Sequence, residues 1–180
     1  MCMALLIGLL YTRSSNPILS GYTDSDWAGS VDDRKSTAGY VFSLGSGAVT
    51  WTSKKQQAVA LSSTEAEYRG AVKASCEAVW LRRMLADMHA SQTGPTSLFC
   101  DNQGVLKLAK NPVFHERTKH VETHCHYIRQ LVEDGFVRLK YVPTTEQPAD
   151  IFTKPLGPAK FEQFRRSIGV VNRLSIKGGY

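Results

Sequence analysis

The sequence predicts an α/β fold: a five-stranded mixed sheet, three antiparallel strands plus two, with helices on both faces. Three observations predict it. Three β-rich runs, at 18–27, 37–44 and 48–53, follow one another closely, and the last two are joined by Gly45-Ser46-Gly47, a short hairpin signal. Beyond residue 60 the pattern becomes helix, strand, helix, helix, strand, helix, an order that builds a mixed sheet. Finally, the first long helix opens its inward face with small residues, which permits close approach to a sheet.

Ile18 to Trp27 alternates as a strand, with Tyr22, Asp24 and Asp26 on one face and Thr23, Ser25 and Trp27 on the other. A polar loop, 29–36, leads into the hairpin 37–44 and 48–53. A helix then runs from about Ser63 to about His89. Ser62 with Glu65, and Thr64 with Glu67, both fit the capping-box spacing. The stripe Glu67, Ala71, Ala74, Ala78, Leu81, Leu85, Met88 has helical periodicity and places Glu67 at the start of the buried face. Ser97 to Cys100 is a short apolar strand ending at Asp101. Residues 102–110 are helical and stop at Asn111-Pro112. A second amphipathic helix spans 119–133, with Val121, Ile128, Leu131 and Val132 as its apolar side. A strand at 136–142 carries basic residues on its polar face. Pro148 opens a short helix with Asp150 in its first turn. A last helix covers 161–168, and 173–180 reads as a frayed tail.

At 180 residues the expectation is one domain with some extra at its ends. With 42% hydrophobic and 21% charged residues, a core of useful size is available. The net charge of +6 is compatible with a polyanionic partner and equally with an ordinary solvated surface. Four widely spaced cysteines without a CxxC pair read as free thiols of a reducing compartment. The apolar run 4–10 is too short to span a bilayer and lacks a basic flank, so it reads as a strand or as the cut edge of something larger. His115, His120, His124, Cys125 and His126 lack a second pair at zinc-ligand spacing, and surface or packing roles suit them better. No phosphate-binding loop and no Ser-His-Asp arrangement is found.

The chemistry concentrates in Asp24, Glu67, Asp101 and Asp150. Each has an ordinary structural role open to it: a strand-face polar group, half of a capping box, a helix N-cap, a favourable charge in a first turn. Their joint placement at the ends of elements is what a shared site needs. Four carboxylates gathered together repel at roughly 4 kcal/mol per pair at about 4 Å, and a bound cation relieves this. Arg34, Lys35, Lys54, Lys55 and Trp51 fall near the hairpin ends, where they could meet phosphates and a sugar or base. Alternatively, Trp51 is a core residue and the lysines are merely solvated.

Several stretches carry a resemblance. They are 21–29 (GYTDSDWAG), 33–42 (DRKSTAGYVF), 51–56 (WTSKKQ), 63–68 (STEAEY), 100–103 (CDNQ), 119–122 (KHVE) and 149–156 (ADIFTKPL). In this order they resemble the ribonuclease H domain of the Pol polyprotein of Ty1/copia-type LTR retrotransposons, particularly those of plants, over about 8–168. The resemblance implies a ribonuclease H-like fold and hydrolysis of the RNA strand of RNA–DNA hybrids during reverse transcription. It implies that Asp24, Glu67, Asp101 and Asp150 bind two Mg²⁺ ions, with Mn²⁺ a possible substitute. Asp26 is the rival for the first position and Glu65 for the second. Arg34, Lys35, Trp51, Lys54, Lys55, Asn102 and Gln103 become candidate nucleic-acid contacts. The implied partners are the hybrid and the reverse transcriptase region of a parent Pol, in a cytoplasmic particle or the nucleus. Residues 1–17 would be a remnant of the preceding Pol region, 18–156 the domain, and 157–180 a C-terminal helix and tail. One departure stands out: the loop before Asp150, 143–147, lacks the His that many such enzymes carry, with Glu146 a candidate substitute and the replacement left open. The contrasting class is a truncated, inactive Pol fragment with weak nucleic-acid binding.

Overall fold

The structure, a computed structural model, describes residues 7–14, 16–110 and 119–172, and within 119–125 only the backbone. In chain order the elements are β1 (Ile7–Leu9), β2 (Leu19–Ser25), β3 (Thr37–Leu44), β4 (Gly47–Lys55), α1 (Ser63–Asp87), β5 (Thr96–Cys100), α2 (Gln103–Lys110) and α3 (Lys119–Glu133). They continue with β6 (Val137–Tyr141), two 3₁₀ turns (Thr144–Glu146 and Pro148–Phe152), α4 (Pro158–Ser167) and β7 (Val170–Asn172).

β2 to β6 form the expected five-stranded sheet in the order β4-β3-β2-β5-β6. The β2–β3 and β3–β4 pairs are antiparallel, whereas β2–β5 and β5–β6 are parallel. β2 is therefore the strand at which the sheet changes character. β1 and β7 make a separate two-stranded antiparallel ribbon.

One face of the sheet is covered by α1 and α3. Leu19, Phe42, Leu98 and Val137 from four strands pack there against Ala74, Ala78, Leu81 and Leu85 of α1 and Leu131 of α3. A contiguous cluster joins Tyr68 and Ala71 of α1 to Cys100, Val105, Leu108 and Ile128. On the opposite face, Val41 and Ala48 meet Ile168, with Ile151, Phe152 and Val170 beside them. Phe164 of α4 is also buried.

The small-residue stripe of α1 is buried from Glu67 to Leu85, as its periodicity requires. Met88 is the exception: it is exposed, because α1 ends at Asp87 and Met88 is its C-cap. The expected 3.6-residue period has no helix left to act on there. The stretch opened by Pro148 is a 3₁₀ turn of five residues rather than an α-helix. Val121, the 115–125 members of the His/Cys group and the tail from Arg173 lie outside the described side chains.

Candidate active site

The site lies where β2 and β5 part. Their parallel ladder ends at Tyr22↔Phe99. Beyond it β2 stays paired with β3 as far as Ser25, which fixes Asp24 opposite Gly39. β5 ends at Cys100, so Asp101 follows directly from its carboxyl end. The crevice outside the carboxyl ends of adjacent parallel strands is where such sheets bind ligands. Two acids stand at that crevice by sheet register alone.

Glu67 is brought in by α1. The cap that starts this helix uses Ser62, whose Oγ accepts from the Glu65 amide at 3.2 Å, while Glu65 Oε2 accepts from the Leu61 amide at 2.8 Å. Glu65 Oε1 also pairs with Arg69 at 2.6 Å. Glu65 is thus committed to the helix start, and Glu67 is left to face the sheet. Gly70 lets the helix come close: a Cβ there would lie 2.5 Å from Ser25 Oγ.

Asp150 arrives from the far end of the chain on the second 3₁₀ turn. Gln147, fully buried, holds that turn to β2 by donating from Nε2 to the Thr23 carbonyl at 3.0 Å. Gly39 gives it room on β3, since a Cβ there would lie 2.7 Å from Phe152 Cβ.

These placements bring the four sequence-predicted acids together. Oxygens of Asp24, Asp101 and Asp150 lie within 4.8 Å of one another, as do ligand atoms of Glu67, Cys100 and Asp101. Asp24, Glu67 and Asp150 are buried. Asp26, the rival, is taken up elsewhere: its Oδ1 accepts from the Thr37 amide and closes the β2–β3 connection.

Burial is the main reason the Glu67 carboxyl is pushed up to about 10, with the charges of Asp24 and Asp101 adding to it. Burial also raises Asp24, against the opposing pull of the Thr153 hydroxyl and Lys154. Thr153 donates to Asp24 Oδ2, and Thr144 donates to Asp101 Oδ2 at 2.6 Å. Among the described residues, two ammonium groups face the cluster. Lys154 Nζ lies 2.9 Å from Asp150 Oδ1 and 3.6 Å from Asp24 Oδ2, and Lys160 Nζ lies 2.8 Å from Asp150 Oδ2. Burial disfavours the Lys154 ammonium, but Asp24 and Asp150 outweigh it and its pKa is raised.

The donor set fits a hard divalent cation. It is carboxylate-rich, and Glu67 Oε2 is buried with no hydrogen-bond partner, as an oxygen reserved for an ion would be. Cys100 is a poor alternative donor, because burial and the nearby Glu67 push its thiol well up and keep it protonated.

The candidate nucleic-acid contacts divide into two groups. Trp51 is 53% exposed on β4, and Lys54, also exposed, lies further along the same strand on its other face. Arg34 is exposed in the β2–β3 loop with φ 53. Lys35 and Lys55 share Asp33 at 3.5 and 3.3 Å. Asn102 caps α2, its Oδ1 accepting from the Gly104 amide at 2.8 Å, whereas Gln103 is exposed. The helix-cap role that was the alternative for Asp101 is filled by Asn102, which leaves Asp101 to the acids.

Gln147, Thr144, Thr153, Lys154 and Lys160 were not singled out by the sequence. Thr153 and Lys154 follow Asp150 by one helical turn, a spacing that could have found them. Lys160 reaches back across Pro155 and Pro158, and no local pattern signals that.

The architecture is that of a ribonuclease H fold. A ribonuclease H1 isolated from compost, LC11, superposes with a TM-score of 0.57 at 15% identity, over 76% of this chain and 93% of that one. The foamy viral protease-reverse transcriptase in complex with an RNA/DNA hybrid gives 0.56 at 12% identity, over 86% of this chain and 22% of that one. Sequence relatives are closer. The retrovirus-related Pol polyprotein from transposon TNT 1-94 of Nicotiana tabacum is 43% identical over 156 residues, 87% of this chain. That from transposon RE2 of Arabidopsis thaliana is 42% identical over 172 residues, 96% of this chain. The chain spans 12% of the length of each of these two relatives. No protein-family model matches it. The chain is a ribonuclease H-like domain related to the Pol polyproteins of plant copia-type retrotransposons.

Proposed function

We propose that the protein is a divalent-metal-dependent endonuclease that cuts the RNA strand of RNA–DNA hybrids, working beside the polymerase region of a retrotransposon Pol. The observation that carries this reading is the convergence of Asp24, Glu67, Asp101 and Asp150 from four separate elements onto one crevice. The hybrid bound by the foamy viral neighbour and the Pol polyproteins among the relatives support the same substrate.

In this reading the four acids hold two Mg²⁺ ions. Held by these carboxylates, such ions would supply the activation of a water nucleophile and the stabilisation of a departing 3′ oxygen. The protein's own groups supply the rest. Thr153 and Thr144 fix the rotamers of Asp24 and Asp101, so two ligands are oriented in advance. Gln103, exposed next to Asp101, can donate to a 2′-hydroxyl, the group that separates RNA from DNA. Trp51 offers a stacking face, and Lys54 a phosphate contact. The 143–147 loop carries no His, and Thr144 is the residue it presents to the acids.

A hybrid labelled on its RNA strand tests this. With Mg²⁺ the protein should cut the RNA. Asp24→Asn and Asp101→Asn should each lose activity on the order of a hundredfold or more while keeping the fold by circular dichroism. Hybrid that is bound but uncut at every Mg²⁺ and Mn²⁺ concentration would make the chain a binding module instead.

A further inference from the structure

We infer that Lys154 is a built-in counter-cation of the acid cluster: it occupies the Asp24–Asp150 position when no ion is bound and must leave for a divalent ion to enter there. The inference rests on the metal-dependent reading above and adds a control on metal loading by a residue of the chain itself.

Three features of the geometry carry it. Lys154 Nζ bridges two different acids, at 2.9 Å from Asp150 and 3.6 Å from Asp24. These two acids, with Asp101, have oxygens within 4.8 Å of one another. Mg²⁺ takes its ligands at about 2.0–2.1 Å. An ion shared by Asp24 and Asp150 and an ammonium bridging them therefore claim the same space. Second, Asp24 and Asp150 are 1% and 0% exposed, yet the Lys154 side chain is 36% exposed. The acids are fixed, while the lysine has a route to solvent. Third, Lys160 is built differently. It contacts Asp150 alone, through the other oxygen at 2.8 Å, and its ammonium lies 5.1 Å from the Phe164 ring centroid. Lys160, about as exposed at 34%, touches one acid and orients it; Lys154 bridges two and is the cation that an ion shared by them would displace. The arrangement keeps the carboxylates assembled before any ion arrives and sets the concentration at which the Asp24–Asp150 position fills.

Mg²⁺ binding, read by calorimetry and by the Mg²⁺ dependence of the melting temperature, tests this without reference to cleavage. Lys154→Met should lower the melting temperature in EDTA and tighten Mg²⁺ binding by about tenfold, the usual size of such a coupling. Lys160→Met should also lower the melting temperature in EDTA but should not tighten binding. Equal tightening in both variants, or none in a folded Lys154→Met protein, would overturn the inference. In the wild-type chain the ¹⁵N-labelled Lys154 ammonium should give a protected NMR signal that is lost as Mg²⁺ saturates. A signal unchanged at saturation would overturn it even if the variant failed to fold. Should neither wild type nor Lys154→Met bind Mg²⁺, the metal-dependent reading falls as well. If wild type binds and the variant binds no more tightly, this inference alone falls.

Discussion

Glu67 is the residue whose chemistry is most changed by the fold. Its carboxyl is pushed up to about 10, first by burial and then by Asp24 and Asp101, whereas in the unfolded chain it sits near 4.5. Between those values the folded state holds a proton that the unfolded state has released. Stability from this group is therefore full below about pH 4.5 and is lost as pH climbs toward 10, by about 1.4 kcal/mol per unit. Asp24, also raised, acts in the same direction. Lys154, raised above its usual lysine value, does not titrate in the range concerned. In EDTA the melting temperature should accordingly fall from pH 6 to pH 9. Saturating Mg²⁺ should flatten that fall, because an ion replaces the proton, and Mg²⁺ affinity should rise with pH. Glu67→Gln should flatten the EDTA profile without metal and weaken Mg²⁺ binding. An EDTA profile that is level or rises over pH 6–9 would contradict the burial of this charge. The sequence already singled out Glu67 over Glu65, from the helical stripe. What the stripe could not show was that Glu65 is occupied twice, by the Leu61 amide and by Arg69.

At the scale of elements, the site depends on two close approaches and one buried amide. Gly70 lets α1 lie on β2, and Gly39 lets the Pro148–Phe152 turn lie on β3. Gln147 then ties that turn to the Thr23 carbonyl, just past the last β2–β5 pair, where no ladder partner from β5 remains. Gln147→Ala removes this donor and leaves a buried carbonyl unpaired, which costs about 1–3 kcal/mol. Gly39→Ala forces the turn outward, at about 1–3 kcal/mol for overpacking. Both variants should lower the denaturation midpoint, and both should cost Mg²⁺ affinity, since Asp150 rides on the displaced turn. Gly39→Ala with unchanged stability and metal binding would show that the turn is not held by that fit. Strands, helices and the order of the acids were legible because periodicity and turn residues are local signals. The Gln147 and Lys160 contacts were not, because they join positions 124 and 10 residues apart through tertiary packing. Met88 misled for the opposite reason: the period continued in sequence after the helix had ended.

For the molecule as a whole, the net charge of +6 is unevenly available to a polyanion. Lys154 and Lys160 are turned onto the acids, and Lys35 and Lys55 share Asp33, whose carboxyl is held well below its usual range by Ser30 and Lys55 among others. Lys54 and Arg34 remain exposed at the same end of the sheet as Trp51's strand, the pair of cations best placed to meet phosphate among the described candidates. Binding of a hybrid to the uncleaving Asp24→Asn protein should therefore be salt-dependent, and Lys54→Ala should lower the log–log salt slope by about 1. Trp51→Ala should weaken binding by about 1–3 kcal/mol at every salt concentration, leaving the slope alone, because stacking releases no counterions. Asp33→Asn provides the sharper test of charge sharing. Freed from Asp33, Lys35 and Lys55 should tighten hybrid binding and steepen the slope. If Asp33→Asn leaves both affinity and slope unchanged while Lys54→Ala does not, the hybrid path passes Lys54 and misses the 30–36 loop. If Lys54→Ala and Trp51→Ala are both silent, the hybrid does not cross β4 at all, and the basic charge there belongs to the solvated surface.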